Sequence, residues 1–363
     1  GVDDVDAFNN LRDEGRITYT YDFVGHSTDV YRYSDHGTKV LSLMATEWPQ
    51  KSMVGVAPGA NYVLLVSEKV SSEYRVEEYL WAMGAERADS IGVDIITTSL
   101  GYNSFDDPSM NYQPMDMNGT TAPITIAAQV ASEKGIVIIT SAGNEGGSTW
   151  QTITAPADVI DGIAVGSIQS NYSKSLFSSI GPSWDGRVKP DVVALGSGAY
   201  LVNASGNLVT GSGTSFSAPQ VAGLVAGFWQ AYPNLTAHEI LNAVRSSSDQ
   251  YNNPGNELGY GIPSYDALKN FVESETQTKD FAVYPNPVSE DGWLRIRVKD
   301  PVENSEVKVS LMDSSGKLIQ ESSVPFSWKT NEYILEMTTL PSGIYLVNLQ
   351  SNDKLEKLKI VKI

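Results

Sequence analysis

The chain has 363 residues, 41% hydrophobic and 19% charged, with a formal net charge of −18 and no cysteine. That is enough length for about two globular domains with buried cores, and the absence of thiols excludes a disulfide scaffold, a cysteine nucleophile and a Cys-ligated zinc or iron–sulfur centre. The charge is uneven, with 14 basic against 31 acidic side chains in residues 1–278 and 11 against 12 in 279–363, and an acidic body lacks the basic patches with which proteins neutralise nucleic-acid phosphates.

In chain order, the first signal is Asp35-His36-Gly37-Thr38, followed by an apolar pattern over 39–45 that predicts a helix with His36 in its first turn. Short β-branched runs at 62–66, 95–98, 136–140 and 163–165 predict strands. Between them, 76–88 carries Tyr79, Leu80, Met83 and Arg87 at helical spacing. Residues 123–134 read as a second helix, with a proline in the first turn and Gly135 just past the end. A third helix is expected over 220–232, after Gly211-Ser-Gly-Thr-Ser215-Phe-Ser-Ala-Pro219, and Thr236-Ala-His-Glu239 reads as a capping box opening a fourth. Continuous apolar strands alternating with helices predict an α/β domain with a parallel sheet covered on both faces, over residues 1–270.

Residues 271–279 are polar without periodicity and are expected to be a linker. Beyond them, alternating runs at 293–298, 307–312, 317–321, 333–337 and 345–349, with an Asp313-Ser-Ser-Gly316 turn, predict a small all-β sandwich over 280–363.

Three motifs in the first domain carry chemistry. A histidine at a helix N-terminus tends to stay neutral and able to act as a base. Glycines before Ser215 allow close backbone approach, and the helix start behind it favours a developing oxyanion. Ser141-Ala-Gly-Asn144, directly after a strand, presents a side-chain amide among small residues. A hydroxyl nucleophile, an imidazole base and an amide donor are the parts of acyl transfer. The surroundings of Ser215 are not the Gly-x-Ser-x-Gly elbow of α/β-hydrolases. His26 and His238, in a polar loop and a capping box, read as structural.

These residues, together with Gly55-Val-Ala-Pro-Gly59, Ser99-Leu100-Gly101, Phe177-Ser-Ser-Ile-Gly-Pro182, Lys189-Pro-Asp191 and Gly259-Tyr-Gly261, resemble the subtilisin-like serine proteases, the subtilase family, over roughly residues 1–270. The resemblance implies that Ser215 is the nucleophile, His36 the general base and Asn144 the oxyanion donor. It implies that Ser99, Leu100 and Gly101 pair with substrate backbone. A pocket for the substrate side chain is expected between Leu100, Gly101 and Ser141, Ala142, Gly143, with Thr154 near its base. No cofactor is needed for this chemistry and no metal ligand is assigned. A structural calcium ion remains open, with Asp116-Met-Asn118-Gly119 the loop that faintly matches a calcium pattern.

The family's triad aspartate sits in an Asp-small-Gly stretch ending an apolar strand. None of Asp3, Asp4 or Asp6 has that context, and Asp35 adjoins His36 too closely in the chain to reach the far ring nitrogen. The acid is therefore expected a few residues upstream of Gly1, with Asp4 the alternative. Gly1 is not an initiator methionine, and the chain reads as a processed form or a fragment.

In the second domain, Tyr284-Pro-Asn-Pro287, Leu340-Pro-Ser-Gly-Ile-Tyr345 and the basic stretch 354–363 resemble the C-terminal sorting domain of the type IX secretion system of Bacteroidota. This implies secretion or cell-surface attachment, with the type IX machinery as a partner and a polypeptide as substrate. No apolar run reaches the roughly 18 residues of a membrane-spanning helix. The sequence thus predicts a secreted serine endopeptidase. A binding or adhesion protein on a decayed protease scaffold is the alternative.

Overall fold

The computed structural model describes residues 2–278, 281–289, 292–298, 305–326, 332–351 and 354–363. The chain divides into two compact units, Gly1–Phe271 and Val272–Ile363.

The first unit opens with α1 (Asn9–Asp13), β1 (Ile17–Asp22), α2 (His36–Ala45), the short pair β2 (Glu47–Trp48) and β3 (Met53–Val54), and β4 (Tyr62–Val66). It continues through α3 (Val76–Ile91), β5 (Ile95–Thr98), α4 (Pro123–Glu133), β6 (Val137–Ser141), β7 (Ile163–Ile168) and β8 (Val192–Leu195). The hairpin β9 (Ala199–Val202) and β10 (Leu208–Gly211) precedes α5 (Ala218–Ala231), α6 (Ala237–Ser246) and α7 (Tyr265–Thr278). Strands β5, β6, β7 and β8 form one parallel sheet in that order. Ile138 on β6 packs into a cluster with Trp81 and Ala85 of α3 and Ile124, Ala128 and Ala131 of α4. The α5 helix packs against β5, β6 and β7, and strand alternation directs Val137 and Ile139 to the face opposite Ile138. The expected two-faced parallel sheet is present.

β1, with its β-branched and aromatic Ile-Thr-Tyr-Thr-Tyr run, lies outside the expected strands. It pairs in parallel with β4 as a separate two-stranded sheet. Among the described residues no strand joins β4 to β5. β6 and β7 are buried at every position, whereas β4 is only half-buried throughout.

The expected linker 271–279 is corrected by α7, which runs unbroken to Thr278. The stretch has no glycine or proline, its Glu and Gln favour helix, and Leu268 and Val272, one turn apart, are both buried. Lys279, and residue 280 where the second domain was expected to start, lie outside the described residues.

The second unit contains β11 (Phe281–Tyr284), β12 (Trp293–Val298), β13 (Ser305–Asp313), β14 (Leu318–Phe326), β15 (Glu332–Glu336), β16 (Gly343–Ser351) and β17 (Lys354–Lys362). They form two antiparallel sheets, β11-β12-β15 and β14-β13-β16-β17. β12 alternates strictly between exposed and buried positions. Leu294, Ile296 and Leu335 from one sheet share a core with Val309, Val347 and Ile360 from the other, which makes the unit a sandwich. Lys362 is 6% exposed. Its ammonium donates to the carbonyls of Met337 (2.7 Å), Thr338 (3.3 Å) and Leu340, so all three of its protons are used.

Candidate active site

The expected site residues on 99–101 and 141–144 lie where the parallel strands β5 and β6 end, the position at which open α/β sheets bind ligands. Ser99, Leu100 and Gly101 directly follow β5. Ser141 closes β6, and Ala142, Gly143 and Asn144 continue from it. His36 is the first residue of α2, as expected, and is half-buried.

Ser215 occupies a 3-10 turn over Thr214–Phe216 rather than the first turn of α5. Pro219, at the start of α5, explains the offset. It has no N–H to donate to the Ser215 carbonyl four residues back, so the α-helical ladder cannot extend over that turn. The freed carbonyl instead accepts from the Ser99 hydroxyl at 2.9 Å, and the Ser215 hydroxyl donates to the Ser99 carbonyl at 3.3 Å. This reciprocal pair fixes the turn against the end of β5.

The His36 ring lies 5.9 Å from the ring of Phe216, the residue after Ser215, and α2 packs against α5. Burial, followed by the Lys39 ammonium, holds the imidazole below its ordinary value, against the opposing pull of Asp35. It is therefore neutral near pH 7, the form that accepts a proton. Among the described residues no hydrogen bond reaches the His36 ring. Asp35 is committed to Lys39 at 2.8 Å. Asp22, fully buried at the end of β1, accepts from the backbone of Val24 and Gly25 at 2.9 Å and from the Tyr33 hydroxyl at 3.1 Å. Asp4 is exposed, ahead of a 3-10 turn over Asp6–Phe8 and not on a strand.

Asn144 is exposed, but one end of its amide is fixed. Its Oδ1 accepts from the Thr214 backbone at 2.9 Å and from the Thr214 hydroxyl at 3.1 Å. A backbone N–H can only donate, so the oxygen must face Thr214 and the NH2 group must face away. The amide donors thus point outward beside Ser215.

Thr154 is 3% exposed, and among the described residues its Oγ1 has no hydrogen-bond partner. A Cβ on Gly101 would come within 2.2 Å of that oxygen, and one on Gly143 within 2.8 Å. Gly143 also has φ +105°, a backbone region that side chains disfavour. Thr154 therefore lies behind both glycines, with Gly101 exposed in front and the Ser141 hydroxyl donating to the Leu100 carbonyl at 3.3 Å. Asp116 accepts from the Gln113 backbone at 2.7 Å, and Asn118 accepts from Thr120 and Thr121, so both serve the local turn. His26 and His238 are exposed. Sequence reasoning missed Thr214, although a threonine beside the nucleophile was visible in Gly213-Thr-Ser215.

Residues 5–261 match the family model described as the subtilase family, and residues 282–363 that of the secretion system C-terminal sorting domain. The second match indicates secretion or cell-surface attachment. Subtilisin DY of Bacillus licheniformis is 33% identical over 227 residues, which span 62% of this chain and 73% of that protein. Subtilisin NAT of Bacillus subtilis subsp. natto is 31% identical over 242 residues, 66% of this chain and 56% of that protein, so the chain spans little more than half of that relative. Among solved structures, a cold adapted subtilisin-like serine proteinase aligns with a TM-score of 0.54 at 25% identity, covering 72% of this chain and 82% of that one. A structure titled S41 Psychrophilic Protease gives 0.58 at 22% identity, covering 71% and 87%, and speaks for the fold alone. Among the described residues no helix is long and apolar enough to cross a membrane.

Proposed function

The chain belongs to the subtilase family of serine proteases, and on that premise we propose that it is a secreted endopeptidase with Ser215 as nucleophile, His36 as general base and Asn144 as oxyanion donor. Ser215 Oγ attacks the peptide carbonyl while His36 takes its proton. The imidazolium then protonates the leaving amine, and water repeats the sequence to release the acyl group and restore Ser215. The observation that carries this reading is the Asn144 carboxamide, held by its oxygen so that its N–H donors face outward beside Ser215. Such preorganised donors stabilise charge that exists only in the transition state. Substrate backbone pairs along 99–101, and its side chain enters between Gly101 and Gly143 toward Thr154. The second unit addresses the chain to the type IX secretion machinery.

The test is labelling with a fluorophosphonate. Labelling that Ser215→Ala abolishes supports the assignment, and labelling that survives it overturns the assignment.

The acid that orients His36 comes, on this reading, from a further parallel strand between β4 and β5, supplied by upstream sequence. The half-buried apolar side chains of β4 support this, since parallel strands are normally covered. So does the absence of a ladder between β4 and β5 among the described residues. Residues 1–363 alone should hydrolyse peptide about 10⁴-fold more slowly than an upstream-extended chain, the scale of losing the triad acid in subtilisin. Full activity in the shorter chain would move the acid to Asp4. Inactivity of both forms, with no phosphonate labelling, would favour a decayed scaffold with a binding role.

A further inference from the structure

The geometry points to a strand-addition site on the outer edge of β17, over residues 355–359, which takes an extended segment of another protein with acidic and apolar side chains in alternation. β17 is the edge strand of its sheet and pairs with β16 from Lys354 to Lys362. Along such a strand, successive residues turn their N–H and C=O groups to opposite sides. The outward set is identified at the far end of the strand. There the Asn286 amide donates to the Lys359 carbonyl at 2.9 Å, and its oxygen accepts from the Val361 N–H at 2.8 Å. Val288 donates to the Val361 carbonyl at 2.7 Å and accepts from the Ile363 N–H at 3.0 Å. The odd-numbered residues of β17 therefore face outward.

Asn286 belongs to the Tyr284-Pro-Asn-Pro287 motif, which the catalytic reading leaves unused. Its side chain, with the backbone of Val288, imitates a neighbouring strand over 359–363. Toward the start of β17 nothing does so. Among the described residues no group pairs with the outward N–H and C=O of Leu355 and Lys357, or with the Lys359 N–H. The opposite edge of the same sheet is obstructed by comparison. β14 carries Pro325, which has no N–H to offer, and its register with β13 shifts between Leu311 and Met312. β17 contains no proline and keeps one register with β16 throughout.

The side chains state what the edge accepts. Alternation puts Leu355, Lys357 and Lys359 on the solvent face of the sheet, where all three are exposed. Leu358 and Ile360 turn the other way and join the sandwich core. Among the described residues the ion pairs of this unit, Arg295 with Glu332 and Lys308 with Glu321, involve neither Lys357 nor Lys359. Two unneutralised ammonium groups thus stand beside the open backbone groups.

Lysines on an edge strand guard against indiscriminate pairing, and here the same charges select a partner. A second copy added antiparallel about residue 357 sets Lys357 against Lys357, and like charges directly opposite are destabilising. A strand with carboxylates on that face meets both lysines with opposite charge. Its other face, if apolar, continues the row of Leu358 and Ile360. Main-chain bonds then supply affinity, and the two lysines supply specificity.

The test uses the full chain carrying Ser215→Ala, so that the probe is not hydrolysed and the outcome is independent of the catalytic assignment. The probe is a fluorescein-labelled, amidated peptide of alternating glutamate and valine, and its lysine–valine counterpart is the control. Fluorescence anisotropy should show roughly tenfold tighter binding of the glutamate peptide at low salt, weakening as salt rises. Adding Lys357→Glu and Lys359→Glu should reverse the preference at an unchanged melting temperature, since both side chains are exposed. Gain of binding to the lysine peptide separates a re-charged edge from a misfolded one. Amide exchange in protein labelled with nitrogen-15 lysine locates the contact. The glutamate peptide should protect the Lys357 and Lys359 amides and leave that of Lys362, which faces β16, as it was. No binding at millimolar peptide, equal binding of the two peptides, a preference that survives the charge reversal, or protection that spares 357 and 359 would each overturn the proposal.

Discussion

Thr214 grips Asn144 by its oxygen, with a backbone N–H at 2.9 Å and a hydroxyl at 3.1 Å. The residue before the proposed nucleophile thereby orients the proposed oxyanion donor, so the two groups share one turn of backbone. Asn144→Ala should lower kcat by about 10²–10³ with little change in KM, the range for losing one oxyanion donor in subtilisin. Thr214→Val keeps the backbone donor and loses the hydroxyl, so its loss should be smaller and should again fall in kcat. Steady-state kinetics on a peptide substrate check both, and a change confined to KM would assign Asn144 to ground-state binding.

The pH dependence follows from His36. Activity requires the neutral ring, so kcat/KM should rise with pH as His36 loses its proton. Because burial and then Lys39 hold the ring low, the midpoint should lie below the ordinary imidazole value of about 6.5. Lys39→Gln removes the second cause and frees Asp35 from its ion pair, so the midpoint should move upward. A pH–rate profile of the two proteins measures the shift.

Gly101→Ala places a methyl group against Thr154 Oγ1. The substrate-side wall must then move, and kcat/KM for bulky side chains should fall at least tenfold, with a smaller loss for alanine or glycine at the same substrate position. Adding Thr154→Ala should recover part of the loss, since it removes the nearest contact. A substrate series with a varied residue before the cleaved bond reads this coupling.

Lys189 and Asp191 form a buried pair at 2.7 Å, with Arg245 on the other carboxylate oxygen at 2.7 Å. Burial alone would raise the Asp191 carboxyl, but Lys189 and Arg245 outweigh it and hold it below the ordinary range. Asp191→Asn leaves a lysine that is 1% exposed without its counter-charge, and should cost about 3–5 kcal/mol in denaturant unfolding. In the wild type, this carboxylate's contribution should be complete above the unfolded aspartate value of about 3.9 and lost as pH falls through the lower folded value.

Much of the first unit was legible because its strands are apolar runs with one partner texture. The run 95–98 coincides with β5, and 62–66 with β4. β1 was missed because its Tyr and Thr residues do not form an apolar run, although their period and β-branching suit a strand. Helix α7 was missed altogether: its second half was read as a linker because it is polar, although its Glu and Gln favour helix and Leu268 and Val272 lie one turn apart. Within the site, His36, Ser215 and Asn144 were readable from motifs. The hold of Thr214 on Asn144 and the position of Thr154 behind two glycines depend on contacts across tens of residues, which local patterns do not encode.

Lys362 closes the sandwich from the end of β17, gripping three carbonyls contributed by residues 337–340. Its strand β17 also lies at the edge of the sheet, beside β16. The order of events follows from this. The unit cannot complete its core until residue 362 has been synthesised and drawn in, so a chain cut or stalled before β17 presents an open sheet edge and three unanswered carbonyls. Completion of this unit therefore waits on its last strand, whatever the state of the residues before it.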